Sequence, residues 1–249
     1  MTIIRSVLFN TYFLFFHLFL VVGMLVLLPF PRSWMQRTVR LWTNVLGAGL
    51  KLIVGLDIEV RGFENLPQGA AVIACKHLSA WDTFVFYRLA RDPNYILKKE
   101  LMEMPVWGWH ARKCGAISVD RDGGAGALKQ MGGDVEDGLS KDRQVIIFPE
   151  GTRTVPGEPI RLLRGTANIA LRAGAPLRPV LIRCSPPALT KCLRWYQVPY
   201  RPMHFSIEVR DAIDLADFRR DQCSQPVAAR RLTRHLEQYL SQEVATMVH

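Results

Sequence analysis

The sequence lacks most of the spacings that hold metals and nucleotides. Its five cysteines, Cys75, Cys114, Cys184, Cys192 and Cys223, form no C-x-x-C pair and no even disulfide framework. That usage fits a reducing cytosolic setting and argues against a structural zinc. The glycine-rich stretch "RDGGAGALKQMGGD" lacks the G-x-x-x-x-G-K-[ST] order of a phosphate loop and reads as a turn followed by a helix. There is no G-x-S-x-G nucleophile elbow, zinc-finger spacing, long basic run or aromatic RNA-binding motif, and no internal repeat or low-complexity linker. The formal net charge is nevertheless +10, from 32 Lys and Arg against 22 Asp and Glu, so an anionic partner is expected. With nucleic-acid motifs missing, anionic membrane lipid and a phosphorylated substrate are favoured over nucleic acid.

Charge itself is missing from one place. The 26 residues from Ser6 to Pro31 contain no Asp, Glu, Lys or Arg. As a helix they reach about 39 Å, enough to cross a bilayer core of roughly 30 Å. A cleaved signal would have a shorter apolar region ending in small residues, whereas this run has no alanine and ends in "PFPR", so it reads as a retained anchor. Pro29 and Pro31 predict a break or hairpin before the next segment. There, from Ser33 to Gly55, Arg37, Arg40, Asn44 and Lys51 fall within an arc of about 60°, with Met35, Val39, Trp42, Leu46 and Ile53 on the far side. Two readings fit this amphipathic helix. It lies on a bilayer with Trp34 and Trp42 at the interface, or it is an ordinary surface helix of the globular domain. Residues 1–55 are therefore expected to form a two-helix membrane-associating motif, and residues 56–249 a separate domain.

A chain of 249 residues with 49% hydrophobic content can bury a sizeable core. After Asp57, β-like runs ("IEVRG", "AVIAC", "YILKK", "AISV", "QVIIF", "LRPVLI", "HFSIEV") alternate with helical stretches near 81–89, 101–113, 125–139, 166–173 and 226–244. Alternation of this kind predicts an α/β domain, its mostly parallel or mixed sheet flanked by helices.

Polar clusters follow several of these strands, where ligand sites of α/β sheets form. "KHLSAWD" places His77 five residues before Asp82. The two would point about 140° apart on a continuous helix, but they can meet if His77 leaves the strand and Asp82 opens the next helix. "SAWD" also has the form of a capping box, so Asp82 as a mere cap and Asp82 as a partner of His77 are both open. "GAISVDR" ends in Asp120 and Arg121, and "IIFPEGTRT" carries Glu150, Gly151 and Arg153 on a turn stiffened by Pro149. Each arginine is either a bidentate phosphate grip or half of a surface ion pair.

Taken together, the blocks "KHLSAWD", "GAISVDR", "FPEGTRT" and "LRPVLI" resemble, in order and rough spacing, the four motif blocks of the glycerolipid acyltransferases. The chain looks like a PlsC-type 1-acylglycerol-3-phosphate acyltransferase along essentially its whole length. Such membership implies transfer of an acyl group from acyl-CoA or acyl carrier protein, as substrate and not cofactor, to the hydroxyl of lysophosphatidate, with no metal. It implies His77 as general base and Asp82 as the group fixing its tautomer. Glu150 and Gly151 fall to the glycerol portion, Arg121 and Arg153 to the phosphate, and Lys98 to the headgroup region. The implied location is the membrane, with the catalytic domain on the cytoplasmic side of the inner membrane. Three positions depart from the family pattern: Lys76 for Asn, Ser118 for Phe and Thr154 for Ser. Related acceptors such as glycerol 3-phosphate or a lyso-aminolipid, a membrane-bound hydrolase, and a silent lipid-binding protein are the competing readings.

Overall fold

A computed structural model describes residues 2–120, 122–155, 159–185, 203–219 and 223–246. Two helices lead the chain, α1 (Thr2–Gly23), continued by a 3-10 turn at Met24–Leu27, and α2 (Arg32–Gly49), continued by a π-helical turn at Leu50–Val54. The break at Pro29 and Pro31 lies between them, as expected. There follow β1 (Leu56–Arg61), β2 (Ala71–Cys75), α3 (Asp82–Leu89), β3 (Pro93–Lys98), α4 (Lys99–Glu103), α5 (Trp107–Cys114), β4 (Ile117–Val119), α6 (Gly124–Ser140) and β5 (Gln144–Ile147). The chain then forms α7 (Gly165–Ala173), β6 (Leu177–Ser185), β7 (Met203–Val209), α8 (Ala216–Arg219) and α9 (Gln225–Thr246).

Among the described residues seven strands make one sheet in the order β1-β7-β6-β2-β5-β3-β4. Neighbours from β6 to β4 are parallel, β7 runs antiparallel to β6, and β1 is parallel to β7. All five side chains of β2 are buried, as befits a strand covered on both faces. Alternation sorts its residues: Ile73 and Cys75 pack with α1, α2 and α3, while Val72 and Ala74 pack with α6, α7 and α9. The result is the expected α/β sheet between two helical layers.

One expected helix is broken. The span 101–113 divides into α4 and α5 because Pro105 removes a donor and Val106 takes φ 64°. Gly108 allows the close return, since a Cβ there would collide with the main chain of Met102.

Helix α2 also departs from its bilayer-surface reading. Met35, Val39, Trp42 and Leu46 are buried in the core shared with the sheet, and Trp42 is only 4% exposed. Arg40 donates to the carbonyls of Tyr87, Ala90 and Arg91, capping the end of α3, and Arg32 holds Asp92 through two bonds of 2.8 and 2.6 Å. A helical wheel shows that an apolar face has a partner but not whether the partner is lipid or protein. Trp34 does remain exposed, stacked on Phe30. Helix α1 is the element with lipid character. The stretch Ile4–Leu27 is apolar and long enough to cross a membrane, yet only 6% of it is buried, unlike the core helix of a soluble protein.

Candidate active site

The parallel strands β2, β5, β3 and β4 all end at one edge of the sheet, and the polar motifs follow those ends. His77 leaves β2 two residues after Cys75, and its Nδ1 lies 3.2 Å from Oδ2 of Asp82 at the start of α3. The same Oδ2 accepts the main-chain N–H groups of Leu78 at 2.6 Å and Ser79 at 2.7 Å. The two readings of Asp82 therefore hold at once: it closes the turn and it faces the histidine. Because Oδ2 already accepts two N–H donors, the compatible tautomer has Nδ1–H pointing at it and the basic lone pair on Nε2. Asp82 is 0% exposed, and burial raises its carboxyl pKa against the lowering pull of His77 and the two amides.

The "FPEGTRT" turn clasps His77 from the β5 side. Thr154 donates to the His77 carbonyl from both its N–H and its Oγ1, at 2.8 and 2.9 Å. The His77 N–H faces both carboxylate oxygens of Glu150 at 3.2 and 3.4 Å. The ring stacks on Phe148 with centroids 4.2 Å apart. Gly151 donates to the Phe148 carbonyl at φ 70°, a left-handed turn that glycine adopts without strain. Burial pushes the Glu150 pKa up to about 7 and that of Lys76, also buried, down.

Among the residues expected from sequence, His77, Asp82, Glu150 and Gly151 come together, with Arg153 on the same turn. The Glu150 carboxylate is directed at the main chain of His77, a contact that the motif's assignment to glycerol did not indicate. Lys98 ends β3, which β5 separates from β2, and is exposed; no hydrogen bond or ion pair joins it to the pair among the described residues. Arg121 lies outside the described residues. Its neighbour Asp120 pairs with Lys99 at 3.2 Å. Phe148 and Thr154 were not singled out as site residues from sequence. The only signal was Thr154 in place of Ser, a change that keeps the hydroxyl donor.

Beside this edge an apolar cavity of about 170 Å³, partly open to solvent, runs between the N-terminal helices and the α3 face of the sheet. Leu20, Val21, Phe84, Leu97, Leu101 and Ala111 are among its walls. Tyr95, also on the wall, lies 6.4 Å from the Phe148 ring that covers His77.

A half-buried histidine facing a buried aspartate at the carboxyl edge of a mostly parallel sheet, next to an apolar cavity, is an arrangement suited to general-base chemistry on a partly apolar substrate. Residues 57–183, just over half of the chain, match the Acyltransferase family model. The chain belongs to that family. It is 35% identical over 154 residues to a 1-acyl-sn-glycerol-3-phosphate acyltransferase of Pseudomonas aeruginosa, covering 62% of this chain and 60% of that one. It is 31% identical over 148 residues to a lyso-ornithine lipid O-acyltransferase of the same organism, covering 59% and 54%. The matched part thus spans about 60% or less of the length of these curated relatives. The solved structure of the 1-acyl-sn-glycerophosphate acyltransferase PlsC from Thermotoga maritima superposes with a TM-score of 0.74 over 99% of this chain and 98% of that one, at 22% identity, which establishes the shared fold.

Proposed function

We propose that the protein transfers a fatty acyl group from a thioester donor to the free hydroxyl of 1-acyl-glycerol 3-phosphate, forming phosphatidate and releasing the donor thiol. The observation that carries this reading is the His77–Asp82 pair, clasped by a complete "FPEGTRT" turn. Nε2 of His77 takes the hydroxyl proton as the acceptor oxygen attacks the thioester carbonyl, and Asp82 stabilises the imidazolium. The tetrahedral oxyanion then collapses, the C–S bond breaks, and the proton passes from His77 to the departing thiolate. The acceptor hydroxyl is the nucleophile, so no covalent enzyme intermediate is required. Acyl-CoA and acyl carrier protein both supply such a thioester, and the reaction draws on no metal or cofactor.

In this reading the apolar cavity takes an acyl chain, and Glu150 serves by holding the main chain of His77 at the rim, beside the glycerol portion that Gly151 approaches. Arg153 and Arg121 grip the phosphate, and Lys98 adds charge near the headgroup. The outer face of α1 sits in anionic lipid, with the catalytic domain on the cytoplasmic side of the inner membrane. A phosphate-free acceptor is a second reading, favoured by the relative named as a lyso-ornithine lipid O-acyltransferase.

The test is an acceptor panel with purified protein and one acyl-CoA, comparing lysophosphatidate, glycerol 3-phosphate and a phosphate-free lyso-lipid. Lysophosphatidate is expected to be preferred. Arg153→Ala is expected to raise its KM about 10- to 100-fold, the worth of a charge-assisted pair, with Arg153→Lys recovering part. Preference for the phosphate-free lipid would refute the lysophosphatidate reading and leave the acyl transfer standing.

A further inference from the structure

The catalytic domain carries an exposed apolar projection of its own, where the chain reverses between α4 and α5. The Trp107 N–H donates back to the Pro105 carbonyl at 2.7 Å, and Val106 takes φ 64° and ψ −61°. This is a γ-turn of the rare, strained kind, unusual for a β-branched residue. Met104 and Pro105 stand at its tip, with Met104 48% exposed, Trp109 on α5 47% exposed and Leu101 on α4 exposed as well. A single large apolar side chain on a surface is ordinary, whereas a cluster of them marks a binding face.

What covers this face follows from its neighbours. His110, next to Trp109, lies against the main chain of Met24, where α1 ends. Leu101 and Trp107 share the wall of the apolar cavity with Leu20 and Val21 of α1. At the other end of α5 the Cys114 carbonyl accepts two bonds from Arg32, at 3.0 and 2.6 Å, beside the exposed and stacked rings of Phe30 and Trp34. Helix α5 thus runs along the connection from α1 to α2, a stretch that turns Val22, Val26 and Phe30 outward. The exposed apolar surface of α1 thereby has a neighbour on the catalytic domain. The projection is also flanked by a surplus of cations. Lys98, Lys99, Arg112 and Lys113 stand against Glu100 and Glu103, and of the four only Lys99 is in an ion pair among the described residues, with Asp120. Aromatic and aliphatic side chains bordered by surplus cations match the headgroup layer of an anionic bilayer, where indole rings favour the interface and cations the lipid phosphates.

We infer that the α4–α5 reversal is a second lipid contact, made by the catalytic domain itself, with Met104 and Trp109 seated in the interface of an anionic membrane and the flanking cations at the level of its phosphates. The inference rests on the placement of α1 in lipid proposed above. Contacts on two different elements hold the domain at one tilt, where a single helix would let it roll about its axis. Leu101, which is both a cavity wall and exposed, is thereby kept at the lipid surface, on the path of an acyl chain between bilayer and cavity.

The test places a polarity-sensitive fluorophore on single introduced cysteines of the whole chain, with Cys192 and Cys223 replaced by Ser, since Cys75, Cys114 and Cys184 are buried. Met104→Cys is compared with Phe19→Cys on α1 and with Leu128→Cys on α6, a position 51% exposed on the opposite side of the sheet. The vesicles are phosphatidylcholine with phosphatidylglycerol, with and without a spin-labelled lipid as quencher. The probes at 104 and 19 are expected to shift their emission to the blue and to be quenched, and the probe at 128 to do neither. As a second readout, Trp109→Glu should raise the lipid concentration for half-maximal vesicle binding about tenfold, whereas Leu128→Glu should leave it unchanged. Quenching at 19 but not at 104 overturns the inference and leaves the placement of α1 standing, while quenching at neither overturns both. Unchanged vesicle binding by Trp109→Glu, with a lowered rate from acyl carrier protein, would make this face a protein-docking surface and equally overturn the inference.

Discussion

Helix α9 buries Leu232, Leu236 and Leu240 and turns Arg230 and Arg234 to solvent, whereas α1, equally 22 residues long, turns Ile4, Phe15 and Phe19 outward and keeps Ser6 against the protein. The same contrast runs through the two faces of the sheet. On the α9 face, α6, α7 and α9 close an ordinary apolar core. On the α1 face the core is continuous with the cavity, with the aromatic ring that covers His77, and with an apolar outer surface. The α9 face is completed by its own side chains, whereas the α1 face keeps an apolar cavity within and an apolar surface outside. In the proposed reaction, the chemistry is accordingly concentrated on one side of a sheet whose two faces bury similar residues.

The sharpest way to break this comparison is to disturb each face in turn. Leu236, 1% exposed on α9, replaced by Glu should unfold the domain, because an unpaired carboxyl in a closed core is among the most destabilising changes. His77→Ala at the rim of the α1 face should lower turnover at least about a hundredfold while leaving the thermal midpoint and vesicle binding nearly unchanged. Asp82→Ala lies between them. It loses the same chemistry and also strands the Leu78 and Ser79 amides, at about 1–3 kcal/mol for each buried donor left unmet. Calorimetry beside steady-state rates would check all three. Substantial activity in His77→Ala would dismiss the base assignment.

A smaller effect is expected at the lipid-facing surface. Phe19 is 79% exposed on α1, so Phe19→Glu should leave the fold intact, in contrast to Leu236→Glu on α9. It should weaken sedimentation with anionic vesicles by about tenfold or more, since a carboxylate is costly to bring into hydrocarbon. Unchanged sedimentation would show that α1 is not the membrane contact.

Much of this was readable from the chain because the signals are local. Apolar runs with turn residues at their ends marked all seven strands, and the five-residue spacing of His77 and Asp82 required only a strand, a turn and a helix start. What stayed hidden depends on tertiary pairing. Thr154 and Glu150 stand more than 70 residues from His77, and they reach it only because β2 and β5 are parallel neighbours. The burial of Trp42 was equally out of reach, since an amphipathic pattern does not name its partner. Pro105 was visible, but the tight return it permits depends on Gly108 packing against Met102.

The last expected effect concerns pH. Glu150 sits at the catalytic edge with its pKa raised by burial to about 7, against an ordinary value of 4.5. Between those values the folded protein keeps a proton that the unfolded chain has released. Its contribution to stability therefore falls as pH rises from about 4.5 to about 7 and is flat beyond, by on the order of 3 kcal/mol at most. Burial also raises Asp82, so its slope has the same sign but begins at lower pH, from an ordinary value of 3.8. Glu150→Gln cannot ionise and should flatten the curve in the upper part of this window while leaving the Asp82 contribution on the acid side. Urea denaturation from about pH 5 to about pH 8 would measure the difference. An unaltered slope in Glu150→Gln would mean that the carboxyl is ionised in the folded protein and that its contact with the His77 amide is made by a charged group.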